Sequence, residues 1–124
     1  MTAEELVLRA EAAAANAYAP YSNYLVGASA LTKDGRLFDG CNVENAAYPL
    51  GVCAERTTIA KAASEGVRPG DFESIGITAS PCGGCRQWLH EWGFERVAFR
   101  RADGTIAEYT PAGLLPDTWD LPER

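Results

Sequence analysis

The 124-residue sequence has few basic residues, a single histidine and no long apolar run. Its 11 Lys and Arg are outnumbered by 17 Asp and Glu, which gives a net charge of −6. Nucleic acids and anionic membranes both require a basic surface that neutralises phosphate groups, so the composition argues against both partners. No stretch is apolar and long enough to be a signal peptide or a spanning helix, which predicts a cytoplasmic protein.

The sequence also lacks linkers, internal repeats and low-complexity tracts, so we interpret residues 1–124 as a single domain. Apolar residues make up 47% of the chain, which is enough for a compact core. The sequence contains four cysteines. In a reducing compartment, cysteines favour metal binding or catalysis over a disulfide framework.

Capping and turn signals predict an alternation of helices and strands. Helices are expected at residues 3–18, 53–65 and 81–92 and, briefly, after Pro111, and strands at 24–32, 37–41, 72–78, 96–101 and 106–109. This order predicts a three-layer α-β-α fold, in which a mixed five-stranded sheet carries helices on both faces and the third and fourth strands run parallel. Two cysteine motifs then begin helices at the same end of the sheet.

The first cysteine motif is the CGGC sequence at residues 82–85. It places two thiols at positions i and i+3 of a first helical turn, where backbone N–H groups and the helix dipole stabilise thiolates. Both sulfurs can reach one ion, because these positions share a helix face. The motif alone also fits a thioredoxin-like redox pair, since it follows a predicted strand and opens a helix.

The second motif, Cys53-Ala54-Glu55, favours the metal interpretation. A third thiolate completes the ligand set of a catalytic zinc that keeps one position for water. Glu55 lies about 200° around the helix from Cys53, so it is better placed to face the open position across a substrate than to bind the ion.

This combination suits the replacement of an aromatic amine by oxygen. Zinc makes a bound water acidic near neutral pH, and a carboxylate such as Glu55 can carry protons between the water, the ring and the departing amine. Three thiolates leave the zinc site with a net charge of −1, which Arg56 and Arg86 are candidates to offset. Arg86 fits a solvated helix face equally well.

Together, these residues resemble a known family. The segments GCNVENAAY at 40–48, CAERT at 53–57 and SPCGGCRQ at 80–87 are similar to those of the short-chain, homotetrameric cytidine deaminases. The resemblance implies hydrolytic deamination of cytidine and 2′-deoxycytidine by a zinc-bound hydroxide. It implies that Cys53, Cys82 and Cys85 bind Zn²⁺ and that Glu55 is the proton shuttle.

The resemblance also implies which residues contact the nucleoside. The backbone of Ala54 would contact the base, and Tyr24 takes the place of a family phenylalanine beside it. Asn42 and Glu44 would hold the ribose 3′-hydroxyl, since an amide and a carboxylate offer both donors and acceptors.

Two further aromatic residues, Tyr48 and Trp119, resemble groups that reach into a neighbouring subunit's site, so a homotetramer with shared sites is implied. Pyrimidine salvage is the implied role. A free nucleoside is favoured over a nucleotide, because no Lys/Arg cluster is available for a phosphate. The connection across residues 78–80 is shorter than the family's, which removes bulk at a wall of the pocket and makes N4-substituted cytidines further candidate substrates.

Three residue types admit simpler interpretations. Cys41 could close the metal site as a fourth thiolate, making it structural, but it is better explained as a small buried hydrophobe. His90 is expected to pack or lie on the surface rather than bind metal. Trp88 and Trp92, four residues apart, predict a stripe of core side chains.

Three alternative functions remain open from the sequence: a redox protein, a structural-zinc module and a deaminase of another pyrimidine-type nucleoside.

Overall fold

A computed structural model describes residues 1–122. Its helices and strands follow the predicted order: α1 Ala3–Ala14, β1 Gly27–Thr32, β2 Leu37–Cys41, a 3-10 turn at Tyr48–Leu50, α2 Ala54–Ser64, β3 Phe72–Ile77, α3 Gly83–Glu91, β4 Arg96–Arg100, β5 Ile106–Tyr109 and α4 Pro111–Leu114. Within these 122 residues, every helix is too short or too polar to cross a bilayer.

The five strands form one sheet in the order β2-β1-β3-β4-β5. The pairing of β3 with β4 is parallel, and the other pairings are antiparallel. A parallel pair requires a crossover, and α3 supplies it between these two strands. The predicted mixed sheet is therefore confirmed.

Helices cover both faces of the sheet, and glycines in the strands allow them to approach closely. A Cβ atom on Gly27 would lie 2.0 Å from the carbonyl oxygen of Ala10 in α1. On the opposite face, a Cβ atom on Gly40 would lie 2.8 Å from the amide nitrogen of Thr58 in α2. The larger hydrophobic core fills the α2 and α3 side and includes Phe72. The α-β-α layering is confirmed.

The first helix and the first strand are both shorter than predicted. Helix α1 ends at Ala14 and β1 begins at Gly27, so residues 15–26 form turns and a loop. The backbone of this segment pairs elsewhere: the Tyr18 amide donates to the carbonyl of Asn42 at 3.0 Å, and the Tyr18 carbonyl accepts from the amide of Glu44 at 2.8 Å. These contacts hold the loop beside the start of α2.

The predicted tryptophan stripe on α3 is only half right. Trp92 packs against the core, but Trp88 is exposed. The buried face of the helix is formed by Cys85 and Leu89 instead, also four residues apart. Trp88 precedes Leu89 by one position, which turns it about 100° around the helix from that buried side chain.

Candidate active site

Three cysteines meet where α2 and α3 begin. Cys53 is the N-cap of α2 and Cys82 is the N-cap of α3, where its sulfur accepts a hydrogen bond from the Cys85 amide at 3.4 Å. The Sγ atoms of Cys53 and Cys82 are 3.9 Å apart, and all three sulfurs lie within 4.8 Å of one another. One ion can therefore contact all three.

The chemistry of this cluster fits Zn²⁺. Burial raises the pKa of the Cys53 and Cys85 thiols, so they need a neighbouring cation to ionise near pH 7. Burial also opposes ionisation of Cys82, but the Cys85 amide and the neighbouring thiols lower its pKa overall. Three sulfur donors with room for one further ligand match a catalytic zinc site.

The fourth cysteine takes no part in this cluster. Within residues 1–122, the grouped metal-binding side chains are those of Cys53, Cys82 and Cys85 alone. Cys41 lines a separate groove beside Arg9 and Lys61. The alternative of a closed four-thiolate site therefore finds no support in the geometry.

A cleft of about 280 Å³ opens beside the sulfurs. It is lined by Ser22, Tyr24, Val26, Asn42, Glu44, Cys53, Ala54, Glu55, Ala79, Ser80 and Cys82. Glu55 is only 3% exposed, and burial raises the pKa of its carboxyl group. A carboxyl group with a raised pKa, aimed into a cleft beside a metal site, is suited to moving protons near neutral pH.

The two arginines that follow the motifs have different surroundings. Arg56 places its Nη2 atom 4.0 Å from the sulfur of Cys82, where its charge offsets that of a thiolate. Arg86 donates instead to the carbonyls of Pro81 and Leu114, at 3.0 and 2.9 Å. Arg86 therefore ties the loop before α3 to α4, which neither interpretation of the sequence anticipated.

Asn42 and Glu44 line the cleft and also hold the 15–26 loop. The amide of Asn42 accepts from the Val26 N–H and donates to the Tyr24 carbonyl, both at 2.8 Å. Glu44 accepts from the N–H groups of Tyr21 and Ser22, at 2.9 and 3.1 Å, and from the Ser22 hydroxyl. The Ser22 hydroxyl and these backbone donors lower the pKa of Glu44, which fixes a charged carboxylate at the cleft.

The remaining predicted contacts divide into two groups. Tyr24 and Ala54 line the cleft. Tyr48 and Trp119 do not, and their side chains are 75% and 67% exposed. His90 binds Asp120 at 2.8 Å and stays away from the sulfurs, as predicted.

Ala79 and Ser80 line the cleft, and both belong to the 78–80 connection that the sequence placed at a wall of the pocket. Two residues of the cleft were not assigned to it from the sequence, Ser22 and Val26. Ser22 could not have been found, because its contact with Glu44 spans 22 positions and leaves no local pattern.

Comparisons with known proteins agree with this geometry. Residues 1–101 match the model of the "Cytidine and deoxycytidylate deaminase zinc-binding region". A cytidine deaminase of Sporosarcina psychrophila is 43% identical over 124 residues, covering 94% of this chain and 90% of the relative. One from Mycobacterium tuberculosis is 40% identical, covering 88% and 83% respectively.

Solved structures give the same result. A crystal structure of a cytidine deaminase from Burkholderia pseudomallei has a TM-score of 0.90 and 43% identity, and the match covers 96% of this chain and 100% of that one. A cytidine deaminase structure from Mycobacterium tuberculosis has a TM-score of 0.83 and 36% identity, covering 98% and 99%.

Proposed function

The chain belongs to the zinc-binding cytidine and deoxycytidylate deaminase family, and we propose that it hydrolyses cytidine and 2′-deoxycytidine to uridine and 2′-deoxyuridine. The observation that carries this proposal is the buried Glu55 carboxyl group in a cleft that is also lined by Cys53, Cys82, Asn42 and Glu44. The sulfurs hold the metal, the polar pair suits a sugar, and the space between them fits a pyrimidine.

In this assignment, Cys53, Cys82 and Cys85 hold Zn²⁺, which when bound supplies the Lewis acidity that makes water a nucleophile at neutral pH. The Glu55 carboxylate takes a proton from the attacking water, gives it to ring nitrogen N3, and later protonates the departing amine. The raised pKa keeps Glu55 close to the pH at which it must both accept and donate.

The other cleft residues position the nucleoside. Glu44 and Asn42 receive the ribose hydroxyls, the ring of Tyr24 lies beside the base, and the backbone of Ala54 contacts the base edge. The pairing of Glu44 with Ser22 keeps the carboxylate in one orientation before substrate arrives, so less freedom is lost on binding.

The test is a screen of amino-pyrimidine and amino-purine nucleosides by ultraviolet absorbance and ammonia release. We expect cytidine and 2′-deoxycytidine to react.

Glu55→Gln should keep zinc and fold but lose turnover by about four orders of magnitude, because acid and base steps both fail. Glu65→Gln, an exposed position where α2 ends, is the matched control. A Glu55→Gln enzyme that deaminates cytidine at near the wild-type rate would contradict the role of Glu55 as proton shuttle. If the protein were instead a thioredoxin-like redox protein, Glu55→Gln would keep activity in a dithiol assay.

We also infer a cytoplasmic homotetramer in which the whole chain is one catalytic domain and neighbouring subunits share sites. Support comes from Tyr48 and Trp119, two large aromatic side chains that are exposed and outside their own chain's cleft. Free thiols suit a reducing compartment.

Mixing inactive variants tests the shared sites. Trp119→Ala and Glu55→Gln subunits, each inactive alone, should regain activity when they are unfolded and refolded together, because some sites then combine intact residues from both. Light scattering gives the oligomeric state in the same experiment. An active monomer, or an inactive mixture of correctly assembled tetramers, would refute the inference.

A further inference from the structure

A second groove of about 660 Å³ lies next to the cleft, and deamination of cytidine makes no use of it. The two cavities share Tyr24, Ala79 and Ser80 as lining residues. We call this second cavity the side groove. The wall between the cavities is short, because Ser80 follows β3 after only two intervening residues.

The shared wall stands next to the reacting end of the cleft. Ser80 is two residues before Cys82, which belongs to the sulfur cluster. The ring carbon under attack must lie near that cluster, and the exocyclic nitrogen is bonded to this carbon. The exocyclic nitrogen is then on the Cys82 side of the cleft, where Ala79 and Ser80 line both cavities.

The side groove is lined by a mixture of apolar and cationic side chains. Tyr24 and Tyr109 expose aromatic surface to it, and the buried side chains of Phe99 and Leu114 lie beneath. The guanidinium of Arg86 is occupied by carbonyl groups and the Ser80 hydroxyl, and Arg100 pairs with Glu11 at 2.8 Å.

Arg101 differs from these two arginines. Among residues 1–122, its side chain makes one hydrogen bond, to the Tyr109 hydroxyl at 3.1 Å. A guanidinium group has five N–H donors, so most of those of Arg101 have no hydrogen-bond partner in this part of the chain; its charge also acts on the nearby Asp103 carboxyl group, whose pKa it helps to lower. The side groove therefore suits a short apolar chain that ends in an anion.

We propose that the side groove receives substituents on the exocyclic nitrogen, so that the protein also deaminates N4-alkyl and N4-acyl cytidines and prefers acyl chains that end in a carboxylate. The inference rests on the proposed deaminase function and extends its substrate class. Water supplies the oxygen of the new C4–O bond, the C4–N4 bond breaks, and the two protons of water go to N3 and to N4. The products are uridine and a primary amine or amide, with no oxidation or reduction.

Binding to zinc-loaded Glu55→Gln protein, which does not turn substrate over, tests the groove by calorimetry. N4-butanoylcytidine and N4-succinylcytidine form a matched pair, because a methyl group replaces a carboxylate at the end of chains of equal length. The affinity for an N4-acyl cytidine should rise above that for cytidine by up to about fourfold for each methylene group that the side groove buries. The succinyl compound should bind about fivefold more tightly than the butanoyl compound, as for a partly exposed ion pair.

Two variants and one control locate the binding. Arg101→Gln should remove the preference for the succinyl compound and leave cytidine unaffected. Ala102→Trp should fill the rim of the side groove and weaken the binding of both acylated ligands, without affecting cytidine, because Ala102 lines this groove and not the cleft. Ala102→Ser, a change of one atom, should leave the affinity for both acylated ligands as it was. Equal affinity of the butanoyl compound for the parent protein, the Ala102→Trp variant and the Ala102→Ser variant would overturn the proposal.

Turnover by the wild-type enzyme separates this inference from the proposed function. Release of butanamide together with uridine is the expected result, whereas prior deacylation would yield butanoate and ammonia. If cytidine reacts but N4-butanoylcytidine neither binds nor reacts, the side groove inference fails and the function stands. If cytidine does not react while the acylated compound binds in the groove, the function fails and the groove assignment stands.

Discussion

Replacing Gly84 with alanine tests how the negative charge of the zinc site is balanced. A Cβ atom at residue 84 would lie 2.3 Å from Nη2 of Arg56, which must then move by at least about 1 Å to reach ordinary contact. Gly83, the preceding residue in the first turn of α3, provides the control, because a Cβ atom there would meet nothing within 4 Å.

The expected loss depends on how far Arg56 moves. A guanidinium 4 Å from a thiolate is worth about 4 kcal/mol at an effective dielectric of about 20, and about 3 kcal/mol at 5 Å. A minimal displacement therefore costs about 1 kcal/mol, and expulsion into solvent costs more. Polar groups that contact metal ligands typically change metal affinity or activity 10- to 100-fold. We expect Gly84→Ala to weaken zinc binding about tenfold.

The assay is competition for zinc against a chromophoric chelator, with kcat/KM for cytidine measured in parallel. Gly83→Ala should match the wild type in both and melt at the same temperature or slightly higher, since alanine favours a helix over glycine. Adding Gly84→Ala to Arg56→Ala should cause little further loss, because both changes remove one interaction. Equal zinc affinity in the Gly84→Ala and Gly83→Ala proteins would refute the reasoning.

Two other predictions concern residues at and beyond the edge of the cleft. Cys41→Ser should retain one zinc per chain by metal analysis, because Cys41 lies outside the sulfur cluster; loss of the metal would revive the four-thiolate site. Glu44→Gln should be less stable than the wild type at pH 7. Because hydrogen bonding lowers the folded-state pKa of Glu44, its stabilising effect is complete above the ordinary value of 4.5 and disappears as the pH falls through the folded-state pKa. The melting temperatures of the wild type and of Glu44→Gln should therefore converge as the pH is lowered from 7 to 3; a difference that stays constant would contradict the assignment.

The sulfur cluster was predictable because each ligand sits in a local pattern. Cys53, Cys82 and Cys85 all lie at helix starts, and helix starts can be identified from spacing and capping alone. The order of strands and helices followed for the same reason, since each turn carries its own glycine or proline signal. Local signals were enough for the metal site and the layers of the fold.

The contacts that complete the cleft were not predictable in this way. The pairing of residues 15–26 with residues 42–44 depends on where two distant loops meet, and it shortened both α1 and β1 relative to prediction. Arg86 shows the same limit, because its partner Leu114 is 28 positions away. Such contacts depend on the assembled fold rather than on sequence spacing.

The loop contacts also bear on how this site is maintained. Asn42 and Glu44 hold the 15–26 loop through the backbone of Tyr24, Val26 and the residues around Ser22, and they face the cleft as well. In the proposed function, each polar group therefore serves both the conformation of the loop and substrate binding. Removing the Asn42 side chain leaves the partly buried Val26 N–H without its protein partner, which destabilises the loop. A loss of affinity in such variants must therefore be separated from a change in loop structure, whereas replacement of the buried Glu55 carboxyl group tests the proposed proton transfer itself.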